Sequence, residues 1–366
     1  MRILFVTATY LPTVNGVSYH LKTLKKELER LGHEVYILAP SYPNYKDTEK
    51  NIIRYPSLPN PFVKKYPVGV PLVSLKKIKK INPDVIHTHH PLIIGRLAAY
   101  LAEKLKRPLF FSAHTQYEQY LNYYFPHGFQ ITSKLIVNDL KNLAKKCRTV
   151  ICPSPETEAR LARYKILNTK VIFNGIDVRQ FSPSKTVNTE KLSLVYTGRI
   201  EKEKNPAFLI KTAKELKKIK PDFEMNIIGD GNFLPRMSQW LIKDKLEDNV
   251  RLIGELPRDI LPTIYQTGSL FFTPSTSEVM PLTIIEALAC GLPIIALEKS
   301  NLNSLVVNNK NGLLLKSQPK AVAQAIVGLF ADKKLLLAFS REARKKALFF
   351  SLEYCTRNLV NLYESC

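Results

Sequence analysis

Two glutamates stand eight positions apart in "PSTSEVMPLTIIEALACGLPII", residues 274–295. Glu278 lies on a polar stretch, whereas Glu286 is the single charge in the nineteen residues from Val279 to Leu297. An ionised carboxylate among Leu282, Ile285, Leu288 and Ala289 must be hydrogen-bonded or strongly perturbed. Vicinal hydroxyls, such as those of a ribose, would satisfy it with two good bonds. Pro281 stands where a helix would begin, a position that tolerates a missing N–H. Free amides around Met280 and Leu282, with the helix dipole behind them, suit a phosphate. Glu286 is then about one and a half turns into the helix, facing one sugar. Glu278, ahead of the helix, is placed for the hydroxyls of a second sugar beyond the phosphates. The plainer alternative is a solvated Glu286 on the outer helix face.

Other short loops follow apolar runs directly. "TATYLPTVNG" ends in Asn15-Gly16 and opens a helix, so its amides are expected to approach an anion. In "YTGRIEKEKN", Gly198 turns the chain, and Arg199 and Lys204 project as two cations suited to a diphosphate. "IIGDGN", with Gly229, is by itself equally well a structural turn. His114 follows the run "PLFFSA" and reads alone as a histidine at a strand end. Near it, Tyr117, Tyr120, Tyr123, Tyr124 and Phe125 form an aromatic group that suits a membrane interface, a sugar pocket or ordinary packing. His87, His89 and His90 in "HTHHP" invite a metal, but no acids stand nearby and the chain has no D-x-D to bridge a metal to a diphosphate. No metal is expected; His89 or His90 is placed near an acceptor.

The elements that must position these residues are short. "RILFVT", "EVYILAP", "DVIHTH", "PLFFSAH" and "TVICPS" read as buried strands. Between the first two, Val17, Leu21, Leu24, Leu28 and Leu31 recur at helical spacing up to Gly32. The pattern restarts with "SLVYTGRI", "FEMNIIGDG", "NVRLIGEL", "SLFFTPS" and "LPIIAL", with helices between. Such alternation predicts α/β parallel sheets covered on both faces. Two doubly wound, Rossmann-like domains are expected to face each other across a cleft, with ligands beyond the carboxyl ends of the strands. The polar stretch 174–191 reads as the linker. Domains are expected over 1–180 and 181–350, with an amphipathic C-terminal helix, 351–366, packing back on the first.

The 366 residues are comfortable for two domains. No secretory signal or membrane span is expected near the start, and five cysteines without C-x-x-C read as reduced thiols in a cytoplasmic protein. Net charge is +23, and residues 1–184 carry 28 Lys/Arg against 12 Asp/Glu. From Asn51 to Pro83 there are seven basic residues and no acid. Within that stretch Lys76, Lys77, Lys79 and Lys80 interleave with Leu75 and Ile78, predicting an amphipathic helix with its lysines outward. An anionic membrane fits this charge, as does a plain solvated surface. Nucleic acid is not expected, since no zinc finger, basic zipper or RNP motif accompanies it. A dinucleotide oxidoreductase would need G-x-G-x-x-G after the first strand, which is absent. A purely charge-binding module would need none of Arg199, Lys204, Glu278 and Glu286.

The two spaced glutamates, with "HTHHP", "FNGID", "TGRIEKEKN", "IIGDGN" and "VRLIGEL" in this order, resemble the retaining glycosyltransferases of family 4, which have the GT-B fold. The likeness covers nearly the whole chain, and around His114 it is to bacterial diacylglycerol glucosyltransferases. It implies that Arg199 and Lys204 bind donor phosphates, Glu286 the ribose and Glu278 the donor sugar. It places Val250–Gly254 beside the base, with Gly254 at its end, and His114 facing the donor sugar. It implies a UDP- or GDP-hexose donor as substrate, no further cofactor, and same-face transfer to a lipid such as diacylglycerol at the inner membrane surface. The alternative is a soluble sugar, metabolite or lipid-linked glycan precursor as acceptor. Many members carry Gly-Phe-Gly or Thr-Phe-Gly after the first glutamate; here Val279-Met280-Pro281 removes one amide, whose contact is lost or supplied by Leu282.

Overall fold

Strand one shows why each half must be a covered sheet. In the computed structural model, which describes residues 1–13, 15–60, 67–114, 129–276 and 278–365, β1 (Arg2–Val6) buries both of its faces. Leu4 and Val6 pack with Ile94, Leu97 and Leu101. Ile3 and Phe5 pack on the other side with Leu21, Leu24 and Leu28, and with Leu359 and Tyr363. Period-two alternation thus sends neighbouring side chains into two different cores.

The chain divides into two compact units, Met1–Gly175 with Leu352–Cys366, and Ile176–Ser351. In the first, β1 is followed by α1 (Gly16–Arg30), β2 (Glu34–Pro40), β3 (Ile52–Tyr55), a small antiparallel pair β4 (Ser57–Leu58) and β5 (Val68–Gly69), and α2 (Leu75–Ile81). Then come β6 (Val85–Thr88), α3 (Leu92–Leu105), β7 (Leu109–Ser112), α4 (Phe129–Lys146), β8 (Thr149–Cys152), α5 (Pro155–Arg163) and β9 (Thr169–Val171). Seven parallel strands lie in the order β3-β2-β1-β6-β7-β8-β9. The C-terminal helix Leu352–Glu364 belongs to this unit and puts Leu359 and Tyr363 into its core.

The second unit holds β10 (Ser193–Thr197), α6 (Pro206–Ile219), β11 (Glu224–Ile228), α7 (Leu234–Lys243), β12 (Val250–Gly254), α8 (Leu261–Thr267), β13 (Leu270–Thr273), α9 (Leu282–Ala289), β14 (Ile294–Leu297), β15 (Gly312–Leu315), α10 (Pro319–Ala331) and α11 (Lys333–Leu348). Its six parallel strands run β12-β11-β10-β13-β14-β15. Leu194 and Tyr196 pack with Leu209, Ala213 and Leu216 of α6 and Ile326 of α10. In each sheet the strand order reverses once, between β1 and β6 and between β10 and β13. Those are the two places where loops diverge to opposite faces and leave a crevice at the strand ends.

The strands absent from the sequence reading are β3, β9, β15 and the β4–β5 pair. The edge strands β3 and β9 of the first sheet carry a charge in a run of three or four residues, and β15 is a four-residue run at an edge of the second sheet. Among the described residues no helix is long and apolar enough to cross a membrane. Four cysteines, Cys147, Cys152, Cys290 and Cys355, are free and buried; burial pushes each thiol up to about 12, so they are inert packing groups.

Candidate functional site

The crevice of the second sheet collects most of the expected donor residues. The turn after β10 places Gly198 against β11: the Gly198 N–H donates to the Ile228 carbonyl at 3.0 Å. Gly229, at φ +139°, leaves no room for a side chain, since a Cβ there would lie 1.9 Å from the Gly198 carbonyl oxygen. Its own N–H donates to the Gly254 carbonyl at 2.8 Å. Gly198, Gly229 and Gly254 therefore lock three strand ends together, and the turn holding Gly229 is structural before it is anything else.

Beyond Gly198 the chain makes a 3₁₀ turn, Lys202–Lys204, before α6. Arg199 donates to Glu203 Oε1 at 2.7 Å, and Glu203 is buried. Lys204 Nζ lies 2.5 Å from Glu278 Oε1, with both side chains largely covered. The two cations are thus brought together from one side of the switch point and Glu278 from the other. Both are engaged by carboxylates, Lys204 largely covered and Arg199 with 43% of its side chain exposed. Glu203 was not singled out in the sequence, because an acid inside "EKEK" looks like ordinary surface charge.

Glu286 is fully buried on α9. Tyr265 of α8 donates to its Oε2 at 3.2 Å, and Arg258, on the loop between β12 and α8, forms an ion pair with its Oε1. Arg258 also lies over the Phe181 ring, 5.8 Å from the centroid. Burial raises the Tyr265 hydroxyl above its ordinary value, so it stays a donor. The solvated alternative for Glu286 is thereby replaced. Its partners are two protein groups, the Tyr265 hydroxyl and the Arg258 guanidinium. Arg258 was legible in principle: it is the single Lys or Arg between Leu252 and Glu298, and a lone buried acid demands a cation.

Pro281 is the N-cap residue of α9, so the helix starts at Leu282, one position later than the sequence suggested, and no side chain caps it. Its carbonyl accepts from Ile284 and Ile285, so the Leu282 and Thr283 amides have no intrahelical acceptor. Met280 and Leu282 are buried.

In the first sheet the expectation for Asn15 and Gly16 changes. The Asn15 carboxamide oxygen accepts from Val17 N–H at 3.0 Å and Ser18 N–H at 2.9 Å, and Ser18 Oγ accepts from Asn15 N–H at 2.9 Å. This capping box engages the Asn15, Val17 and Ser18 amides. His90 Nδ1 accepts from Ala8 N–H at 3.1 Å across the β1/β6 switch point. His87 bonds Tyr363 at 2.5 Å and Ser112 at 2.8 Å, while His89 Nδ1 and His114 Nε2 lie 3.0 Å apart. Among the described residues no group of three or more His, Cys, Asp or Glu is arranged to hold a metal. On α2, Lys76, Lys77, Lys79 and Lys80 are exposed and Ile78 is buried. Tyr117, Tyr120, Tyr123, Tyr124 and Phe125 lie outside the described residues.

Residues 14–180 match the family model described as Glycosyltransferase Family 4, and residues 177–346 that of Glycosyl transferases group 1. The chain is 26% identical to the alpha-monoglucosyldiacylglycerol synthase of Acholeplasma laidlawii, covering 99% of this chain and 96% of that protein. It is 31% identical to the UDP-Gal:alpha-D-GlcNAc-diphosphoundecaprenol alpha-1,3-galactosyltransferase of Escherichia coli, over 75% of this chain and 73% of that one. Among solved structures, HepE of Anabaena in complex with UDP superposes with a TM-score of 0.80 at 19% identity, covering all of both chains. With both halves matched and the same two Rossmann-like sheets, the chain belongs to the family 4 glycosyltransferases and has the GT-B fold.

Proposed function

We propose that this glycosyltransferase moves a hexose, with retention, from a UDP- or GDP-activated donor to a membrane lipid such as diacylglycerol. The observation that carries the lipid acceptor is one surface of the first domain. Four exposed lysines of α2 stand on the same stretch of chain as three exposed apolar residues. Leu58 and Val68 are register partners on β4–β5, exposed at 61% and 47%, and Leu72 is exposed at 71%. An exposed apolar ribbon and a basic helix on one stretch of chain suit an interface of acyl chains and anionic headgroups. The likeness to an alpha-monoglucosyldiacylglycerol synthase supports the same acceptor, and a lipid acceptor fits an enzyme working at the inner face of the cell membrane. A lipid-linked glycan acceptor is the second reading, favoured by the Escherichia coli relative.

In this reading the donor diphosphate lies between Arg199, Lys204 and the amides at the start of α9. As the anomeric C–O bond breaks, charge grows on the leaving phosphate, where those groups stabilise it most. Glu278, held by Lys204, meets hydroxyls of the transferred sugar. Glu286 takes the ribose, Val250–Gly254 lies beside the base, and His114 faces the sugar. The acceptor hydroxyl bonds to the same face of the anomeric carbon, and its proton passes to the departing phosphate oxygen. Tyr117 and Tyr120 are proposed on the acceptor side. No metal is required in this scheme, so transfer is expected to persist in excess EDTA. Complete loss restored by magnesium would overturn that point.

Two experiments test the acceptor. Radiolabelled UDP- and GDP-hexoses are offered with diacylglycerol in vesicles, a polyprenyl-diphosphate sugar, or soluble sugars. Transfer to the soluble sugars alone would sink the lipid reading. Separately, Lys76, Lys77, Lys79 and Lys80 are changed together to Gln. Each lysine near an anionic surface contributes about 1 kcal/mol, within a Debye length of about 8 Å. Binding to anionic vesicles at low salt should fall by about tenfold or more, and the difference should vanish at high salt. Equal binding by both proteins would remove the basic helix from the membrane surface.

A further inference from the structure

We propose that His89 is a positioning residue for His114: its Nδ1–H donates to His114 Nε2 and fixes His114 as the neutral tautomer protonated on Nδ1. The two nitrogens are 3.0 Å apart, so one of them carries a hydrogen. His89 Nε2 is buried and has no partner among the described residues. A proton there would be an orphaned buried N–H, the costlier of the two arrangements. The proton of His89 therefore sits on Nδ1, and His114 must accept it at Nε2. That leaves the second His114 nitrogen, Nδ1, as its N–H donor.

The surroundings hold the His89 ring in this orientation. Its face lies against His87, with centroids 4.1 Å apart, and Phe5 meets it edge-on at 4.9 Å. His87 is itself fixed from both ends. His87 Nδ1 hydrogen-bonds the buried Tyr363 hydroxyl at 2.5 Å, and His87 Nε2 the Ser112 hydroxyl at 2.8 Å. Among the described residues the titratable groups facing His114 are His20 from α1, with ring centroids 5.1 Å away, and His87, His89 and His90 from the end of β6. Burial lowers His20 and His90 to about 4 and His87 to about 3, and holds His89 and His114 well below the usual range. All five are uncharged at neutral pH. His114 thus presents a directed, neutral N–H, which suits a sugar hydroxyl or ring oxygen rather than a phosphate; this use rests on the glycosyl-transfer reading above.

Nitrogen-15 NMR of histidine-labelled protein, with His114 assigned by a His114→Gln variant, reads the tautomer without any substrate. At pH 7 His114 should be protonated on Nδ1 alone. Protonation on Nε2, or a mixture, overturns the proposal. His89→Phe keeps a ring but removes the donor: His114 should become a mixture, kcat should fall about 10- to 100-fold, and the acid limb of kcat should move to higher pH. His89→Asn offers an N–H near the same place and should restore the tautomer and most of kcat. Equal losses in the Phe and Asn variants, or an unchanged His114 spectrum in the Phe variant, also overturn it. A wild-type chain that transfers no sugar would sink the functional reading and leave the tautomer result standing.

Discussion

Glu286→Ala should lower kcat/KM by about 100-fold or more and destabilise the second domain by about 3 kcal/mol. The kinetic figure follows from losing two bonds to a charged acceptor, each worth about 1.5–3 kcal/mol. The stability figure follows from the partner left behind. Arg258 is paired with Glu286 inside the domain, and stripping one member of a buried pair costs about 3–5 kcal/mol. The lower end applies because the Arg258 side chain is 25% exposed and can turn towards water. The double variant Glu286→Ala with Arg258→Ala should recover much of the stability and none of the activity. Denaturant unfolding and steady-state kinetics on the three proteins separate the two effects. Full activity in Glu286→Ala would remove it from the donor site; unchanged stability would show that the pair with Arg258 contributes little.

Acidification should loosen one domain and spare the other. All seven histidines lie in the first domain's share of the sequence, and the second has none. Burial holds His20 to about 4 and His87 to about 3 in the folded chain, against an ordinary value of about 6.5. Below that value the unfolded chain binds protons that the folded chain refuses, so stability falls as pH falls. The contribution is complete above about pH 6.5 and shrinks by about 1.4 kcal/mol per histidine per pH unit towards the folded values. At pH 5, His20 and His87 together should have lost about 4 kcal/mol. Hydrogen exchange at pH 7 and pH 5 checks this, after correction for intrinsic rates. Protection of β1, β6 and β7 should drop while that of β10 and β11 holds. Parallel losses in both domains would show that the histidine cluster does not set acid stability.

The strands that frame both crevices were legible because each is a run of apolar residues buried on two faces, the strongest pattern a short segment can carry. Glu278, Lys204 and Arg199 were placed by the turns those strands impose. What escaped the sequence were partners set by sheet order. His89 meets His114 because β6 and β7 lie side by side in register. Tyr363 reaches His87 over 276 positions of sequence. Glu203 escaped because a charge in a polar loop has no local signature of the buried partner it will find, whereas Arg258 carried one, as the single Lys or Arg between Leu252 and Glu298.

The C-terminal helix also dictates an order of assembly. Leu359 and Tyr363 fill the core beside Phe5 and Leu24, yet the whole of Ile176–Ser351 is translated between them and Gly175. The second domain is one uninterrupted stretch and can close while the ribosome is still at work. The first emerges earlier but keeps an apolar face open until residues 352–364 arrive. Bringing them back closes a loop of the intervening segment, whose entropic cost grows only as the logarithm of its length. A folded second domain shortens the effective span further. The domain that begins first therefore finishes last, and in that interval its uncovered face is where a chaperone would bind or an aggregate would start.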